Sequence, residues 1–168
     1  EVVAEKIHAG EFSFPPNDNP PVTVTWHDSC HIGRASGVYE PPRDVIKAIP
    51  NVNFVEMAHN HECSRCCGSV LTLIKEPDVA AKIGKHRIDE AIEVGAQKVL
   101  ALCPCCEFQL RVSAEKKQLP IEVVDHTHDG KAADELGDQP ELHQVFGQQV
   151  VEQLARVTIA RRANVGAE

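Results

Sequence analysis

The 168 residues of this chain suit a single domain, and their 42% hydrophobic content is enough to form a buried core. With 25 acidic against 17 basic residues, the formal net charge is -8, which argues against a surface for nucleic acid or anionic membranes. The apolar runs are too short to span a bilayer, and the first residues lack the apolar stretch of a signal peptide. The chain does not begin with Met, and its first residues resemble the end of a helix, so we expect a piece of a longer protein.

Predicted helices and strands alternate along the chain. In order, they are a helix over Glu1–His8, a strand over Val22–His27, a helix over Arg43–Ile49, a strand over Asn53–Met57, a helix over Pro77–Val94, a strand over Lys98–Leu102, a helix over Glu107–Lys117, a strand over Ile121–Val124 and a helix over Val145–Arg161. Residues 1–20 are a helical lead-in and a Pro-rich linker. The alternation predicts an α/β fold with a mostly parallel sheet flanked by helices.

Seven cysteines fall into three groups, and each group follows a predicted strand. The groups are Cys30; Cys63, Cys66 and Cys67; and Cys103, Cys105 and Cys106. Because the carboxyl ends of parallel strands face one crevice, we expect the three cysteine loops to gather there. A disulfide framework is disfavoured, since secreted disulfide scaffolds are usually shorter and adjacent cysteines do not readily bridge each other.

The number of thiols distinguishes the kinds of site that remain. The pattern C-x35-CC-x35-CxxC offers five thiolates, and Cys63 and Cys105 bring the candidates to seven. Zinc is usually bound by four ligands, whereas a cluster of several irons is held mainly by cysteine thiolates. The count favours an iron–sulfur cluster, while a zinc site and a metal-free redox dithiol stay open.

The cysteine pattern, with Cys66-Cys67-Gly68 at its centre, resembles the cysteine-rich CCG domain. That domain occurs in heterodisulfide reductase catalytic subunits and in iron–sulfur subunits of glycolate oxidase, lactate utilisation and anaerobic glycerol-3-phosphate dehydrogenase systems. The flanking stretches are similar to the D subunit of heterodisulfide reductase and to the iron–sulfur subunit of dissimilatory-sulfite-reductase-linked membrane complexes. These stretches are WHDSCHIGR (26–34), GVYEPPRDVIKAIP (37–50), VEM (55–57), CCGSV (66–70), KIGKHRIDEAIEVGAQ (82–97) and CPCC (103–106).

This resemblance implies an oxidoreductase component that binds a noncubane [4Fe–4S] cluster for electron transfer, disulfide (thiol) reduction, or both. The implied ligands are Cys30, Cys66, Cys67, Cys103 and Cys106, with Cys63 and Cys105 as additional candidates. Implied partners are a ferredoxin-type iron–sulfur domain or subunit as electron donor, a disulfide or thiol substrate, and a larger complex that includes a membrane quinone- or haem-bearing subunit. The alternative is a zinc-stabilised structural or interaction domain without redox chemistry.

The domain boundaries and location follow from the same resemblance. Residues 21–130 are expected to form the iron–sulfur domain, and residues 131–168 a helical extension packed on it. No nucleic-acid partner is expected. The expected location is the cytoplasm, or the cytoplasmic face of the membrane through peripheral docking.

Residues next to the cysteines carry further predictions. Gly68 is expected to let the backbone pass close to the sulfide of a cluster, with its N–H available. Pro104 is expected to open a helix whose N-terminus faces the anionic cluster. Since His27 and His31 bracket Cys30, either could donate a hydrogen bond to a thiolate, and His31 is the predicted proton donor.

The remaining candidates are expected to have no role in the chemistry. Cys63 and Cys105 are predicted to be small buried hydrophobes, and Trp26 a core residue. The other predictions are solvated charges at Arg34, Arg65 and Lys75, exposed loop histidines at His59 and His61, and surface or sheet-end histidines at His126 and His128.

Overall fold

The computed structural model describes residues 1–125 of the chain. The helices and strands in that range are α1 (Val2–His8), β1 (Val22–His27), α2 (Glu40–Lys47), β2 (Val52–Phe54), α3 (Ser69–Leu73), α4 (Pro77–Glu93), β3 (Lys98–Ala101), α5 (Pro104–Lys116) and β4 (Glu122–Asp125). The helix predicted over Val145–Arg161, the predicted extension over 131–168, and His126 and His128 lie outside the described residues.

The four strands of the described region form one parallel sheet in the order β2-β1-β3-β4. Val24 of β1 is in register with Phe54 on one side and with Lys98 on the other, and Leu100 of β3 pairs with Val124. The predicted α/β fold is confirmed. Because the chain runs from β1 to β2 on one side and then crosses back to β3, the strand order reverses between β1 and β3. Ligands of open α/β sheets bind at such a reversal, beyond the carboxyl ends of the strands.

The core lies between the sheet and the two longest helices. Val99 and Ala101 of β3 are buried with Ile88 of α4 and Leu110 of α5. Trp26 is also buried, as predicted. Because residues of the central strands β1 and β3 are buried in the core, the core holds in place the carboxyl ends from which the loops begin.

Two segments for which the sequence predicted no helix are helical. Cys30–Ala35 forms one π-helical turn, in which the Ser29 hydroxyl accepts a hydrogen bond from the Ile32 N–H. Ser69–Leu73 forms the short helix α3 directly after Gly68, and this helix packs against α4. Five residues are too few for a helical period to be visible in the sequence, and so short a helix depends on tertiary packing.

Within residues 1–125, no helix is both long enough and apolar enough to cross a membrane.

Candidate metal centre

The structure gathers the three cysteine loops at the carboxyl edge of the sheet. Cys30 follows β1 by three residues, and Cys103 follows β3 by two. Four of the cysteines line one open cavity, namely Cys30, Cys66, Cys67 and Cys106. Cys103 does not line this cavity, but it is the N-cap residue of α5 and packs against the core cluster that contains Cys67 and Cys106. The five cysteines of the C-x35-CC-x35-CxxC pattern therefore lie at the same edge of the sheet.

Cys67 and Cys106 form the buried centre of this group. Their sulfurs are 3.2 Å apart, and all seven cysteines are free thiols. The hydrogen bond with Cys106 lowers the pKa of Cys67 strongly, and hydrogen bonds from His27 and Ser69 act in the same direction. The same pairing raises the pKa of Cys106, because its thiol shares a proton with the Cys67 thiolate.

Gly68 shapes the backbone around the adjacent thiols. Its φ is 89°, and its N–H donates to Cys66 Sγ at 3.3 Å. A Cβ at this position would lie 2.8 Å from the carbonyl oxygen of Ala80 in α4. The close approach of the cysteine loop to α4 therefore requires glycine.

Gly68→Ala is expected to destabilise the metal-free protein by about 2–4 kcal/mol, since it combines a left-handed φ with a backbone clash. Gly95→Ala is the matched control, because Gly95 has a φ of 74° and no atom within 4 Å of the added Cβ. This control is expected to lose about 1 kcal/mol. Urea unfolding of both variants measures the difference, and equal losses would show that the contact with Ala80 is unimportant.

His27, at the end of β1, reaches the buried sulfurs. A ring nitrogen of His27 and the sulfurs of Cys67 and Cys106 all lie within 4.8 Å of one another. Its Nδ1 accepts a hydrogen bond from Arg87 Nε at 3.2 Å. Burial lowers the pKa of His27, since a low-dielectric environment disfavours the imidazolium, and the charge of Arg87 lowers it further.

Asp28 fixes the cysteine loop of residues 59–68 to the end of β1. Its carboxylate accepts two hydrogen bonds from Arg43 and one from the His61 N–H, each at 2.8 Å. Its carbonyl oxygen accepts a hydrogen bond from the Ser64 hydroxyl at 3.0 Å. Burial raises the pKa of Asp28, but the bonds from Arg43 and His61 outweigh it and leave the pKa below its ordinary value.

The two extra cysteines are not where the sequence placed them. Cys63 and Cys105 were predicted to be small buried hydrophobes, but both are exposed, and neither lines the cavity. Cys63 belongs to a single 3-10 turn, His61–Cys63, and Cys105 is in the first turn of α5. Because both are exposed and do not line the cavity, they offer matched controls for cysteine substitution.

His31, the predicted proton donor, is exposed beside Cys30. Its Nδ1 lies 3.7 Å from Cys30 Sγ. The two histidines are therefore in different places. His31 lies beside the exposed Cys30, whereas His27 lies within 4.8 Å of the buried Cys67 and Cys106. The predicted solvated state holds for Lys75, which is exposed after α3.

Arg34 and Arg65 are exposed, as predicted, and both also line the cavity. Arg34 donates to the carbonyl oxygens of Glu62 and Ser64. Arg65 pairs with the buried Glu90 at 2.9 Å.

The two loop histidines also have partners. His61 was expected to be exposed, but its ring contacts the Glu40 carboxylate at 2.7 Å. His59 Nδ1 lies 2.7 Å from Glu90 Oε1. The loop before the paired cysteines is therefore held by several polar contacts.

Sequence reasoning missed Asp28, Arg43 and Arg87. Asp28 directly follows a predicted strand, which is a recognisable position for a site residue. Nothing in the sequence distinguishes Arg43 and Arg87 from exposed helical arginines, yet both side chains are fully buried.

The pattern of donors fits an iron–sulfur cluster. Cys30 and Cys66 line the same cavity as the close pair Cys67 and Cys106, and Cys103 packs against the core cluster that contains this pair. Helix α5 begins at Pro104 as predicted, with Cys103 as its N-cap. Its first N–H groups carry positive partial charge, which favours an anionic group at that end.

Comparison with known proteins gives a family and a set of relatives. The CCG model, a cysteine-rich domain, matches residues 24–111. The D subunit of the dihydromethanophenazine:CoB–CoM heterodisulfide reductase of Methanosarcina acetivorans is 42% identical over 106 residues, which are 61% of this chain and 25% of that protein. The Bacillus subtilis protein named "Probable iron-sulfur-binding oxidoreductase FadF" is 35% identical over 124 residues, which are 73% of this chain and 17% of that protein. The B subunit of the fumarate reductase (CoM/CoB) of Methanothermobacter marburgensis is 33% identical over 96 residues, which are 57% of this chain and 19% of that protein. The match thus spans a quarter or less of each of these relatives.

Proposed function

Because this chain belongs to the cysteine-rich CCG domain family, we propose that it is the iron–sulfur redox domain of a heterodisulfide-reductase-like complex. It binds a noncubane [4Fe–4S] cluster through Cys30, Cys66, Cys67, Cys103 and Cys106. The cluster serves electron transfer, the reduction of a disulfide, or both. The observation that supports the proposal is that Cys30, Cys66, Cys67 and Cys106 line one cavity at the carboxyl edge of the sheet, with Cys103 at the start of α5 beside it.

The residues around the cavity have separate tasks in this proposal. A bound cluster of this kind accepts and donates single electrons. The loop of residues 59–68, held by Asp28, positions the two adjacent thiolates. His31 lies at the exposed side, 3.7 Å from Cys30 Sγ, where it can give a proton to a departing thiolate of a substrate.

The proposed partners follow from the relatives. Two of them are named as reductase subunits, so we place this domain in a larger complex. Its electrons come from a ferredoxin-type iron–sulfur domain or subunit, and the complex includes a quinone- or haem-bearing membrane subunit. The proposed location is cytoplasmic, at or near the membrane face.

Iron, zinc and acid-labile sulfide, measured per chain after anaerobic purification, test the proposal. About four irons and four sulfides are expected. About one zinc without sulfide would contradict the proposal and favour the structural alternative, for which His27, Cys67 and Cys106 would supply three ligands. Mössbauer spectroscopy of the iron-loaded protein then tests the noncubane form, since a cubane spectrum would contradict that part.

A further inference from the structure

We infer that Arg87 and His27 form a hydrogen-bond chain to Cys67 that sets the electron affinity of the proposed cluster. This inference rests on the proposed function, because it concerns the same site. Arg87 acts through His27, and His27 acts through the sulfur of Cys67. Both are positioning residues rather than ligands.

The burial of Arg87 is the first observation. Its side chain is 0% exposed, although it extends from the middle of α4 and carries a charge. It donates to the carbonyl oxygen of His59 and to the carboxylate of Glu90, and within residues 1–125 its Nη2 has no hydrogen-bond partner. A buried charge with an unused donor is unfavourable for folding, and an apolar residue of similar size often serves packing as well. Stability alone therefore does not explain an arginine here.

The second observation is the hydrogen-bonding state of His27. Arginine has only donors, so Nδ1 of His27 must act as the acceptor of the Arg87 Nε–H. In a neutral imidazole the other nitrogen, Nε2, then carries the hydrogen. A ring nitrogen of His27 lies within 4.8 Å of the Cys67 sulfur, which is the acceptor we assign to this N–H. Arg87 thus selects the tautomer in which His27 directs an N–H toward the sulfur.

The third observation is where this series of hydrogen bonds ends. Cys67 is buried, lies 3.2 Å from Cys106 Sγ and is implied to bind iron. Hydrogen bonds to the sulfurs are among the factors that set the potential of a cluster. A donor toward a thiolate ligand stabilises the more negative, reduced state, so this hydrogen-bond chain raises the midpoint potential.

Removal of the donor is the direct test. In the iron-loaded protein, His27→Phe keeps a buried ring but has no N–H, and it is expected to lower the midpoint potential. At a fixed solution potential the ratio of reduced to oxidised cluster is expected to fall about tenfold. For a one-electron couple this corresponds to a midpoint potential about 59 mV lower. His27→Gln retains an amide N–H and is expected to recover part of the change.

Arg87→Gln tests the first link of the hydrogen-bond chain. Without the Nε–H donor the ring is free to adopt the other tautomer, so a smaller shift in the same direction is expected. Arg111→Gln and His86→Gln are the matched controls. Arg111 is on α5 and pairs with Glu107 and Glu115, and His86 is on α4 away from the cavity, so both are expected to leave the potential unchanged.

A second measurement separates this role from general support of the fold. Electron-nuclear double resonance of the reduced protein, before and after exchange into D2O, is expected to show an exchangeable proton coupled to the cluster that is absent in His27→Phe. If the variants bind iron and their potentials equal that of the wild type, the inference is wrong and the proposed function stands. A His27 nitrogen bound directly to iron would also overturn it. A wild-type chain without iron would overturn the proposed function and this inference together.

Discussion

Cys67→Ser is expected to reduce the iron content from about four per chain to less than about one, because Cys67 is at the centre of the thiol group. Its sulfur contacts Cys106 at 3.2 Å and Ser69 Oγ at 3.4 Å, and it interacts with the His27 ring. Serine is a poorer ligand than a thiolate because its hydroxyl is hard to deprotonate. The side chain is also buried, so water cannot readily replace the missing sulfur. Iron and sulfide analysis after anaerobic purification measures the effect.

Cys63→Ser and Cys105→Ser are the matched controls, since they make the same chemical change outside the cavity. Both residues are exposed, and each lies within a few positions of a proposed ligand. Both control variants are expected to keep the wild-type iron content. Full iron content in Cys67→Ser, or equal losses in all three variants, would contradict the proposed ligand set.

Much of the fold was predictable because it depends on local patterns. The alternation of helices and strands predicted the parallel sheet, and the position of each cysteine group after a strand predicted their convergence. Pro104 correctly marked the first turn of α5. The short helix α3 was missed because its five residues depend on packing against α4 rather than on a repeating pattern.

Burial of individual polar residues was not predictable in the same way. Arg87 and Arg43 occur in helices whose other charged residues are largely at the surface, and only the tertiary structure shows that they point inward. The predictions for Cys63 and Cys105 were wrong in the opposite direction. Both were expected to be buried, as cysteine usually is, but both are exposed. Such errors arise because the composition of a helix or turn does not say which of its side chains faces the core.

The buried ion pair of Arg43 with Asp28 gives the second large expected effect. Arg43→Met is expected to destabilise the metal-free protein by about 3–5 kcal/mol, because it leaves the Asp28 carboxylate buried without its cation. Asp28→Asn is expected to lose less, about 1–3 kcal/mol, since Arg43 keeps a second carboxylate partner in Glu56 at 2.6 Å. Asp89→Asn is the matched control, because its pair with Lys85 is half-exposed on one helix, and it is expected to lose less than about 0.5 kcal/mol. Denaturant unfolding of the metal-free proteins keeps metal binding out of the comparison.

Acid titration tests the same pair through the pKa of Asp28. Its pKa is lower in the folded protein than its ordinary value, because the bonds from Arg43 and His61 outweigh the effect of burial. The unfolded chain therefore takes up this proton first as the pH falls. The stabilisation is complete above the ordinary pKa of about 4 and is lost as the pH falls through the lower folded pKa. Wild-type stability measured between neutral pH and about pH 3 is expected to fall more steeply than that of Asp28→Asn. If the unfolding free energies of the two proteins fell equally with pH, the charge of the Asp28 carboxylate would not stabilise the folded protein.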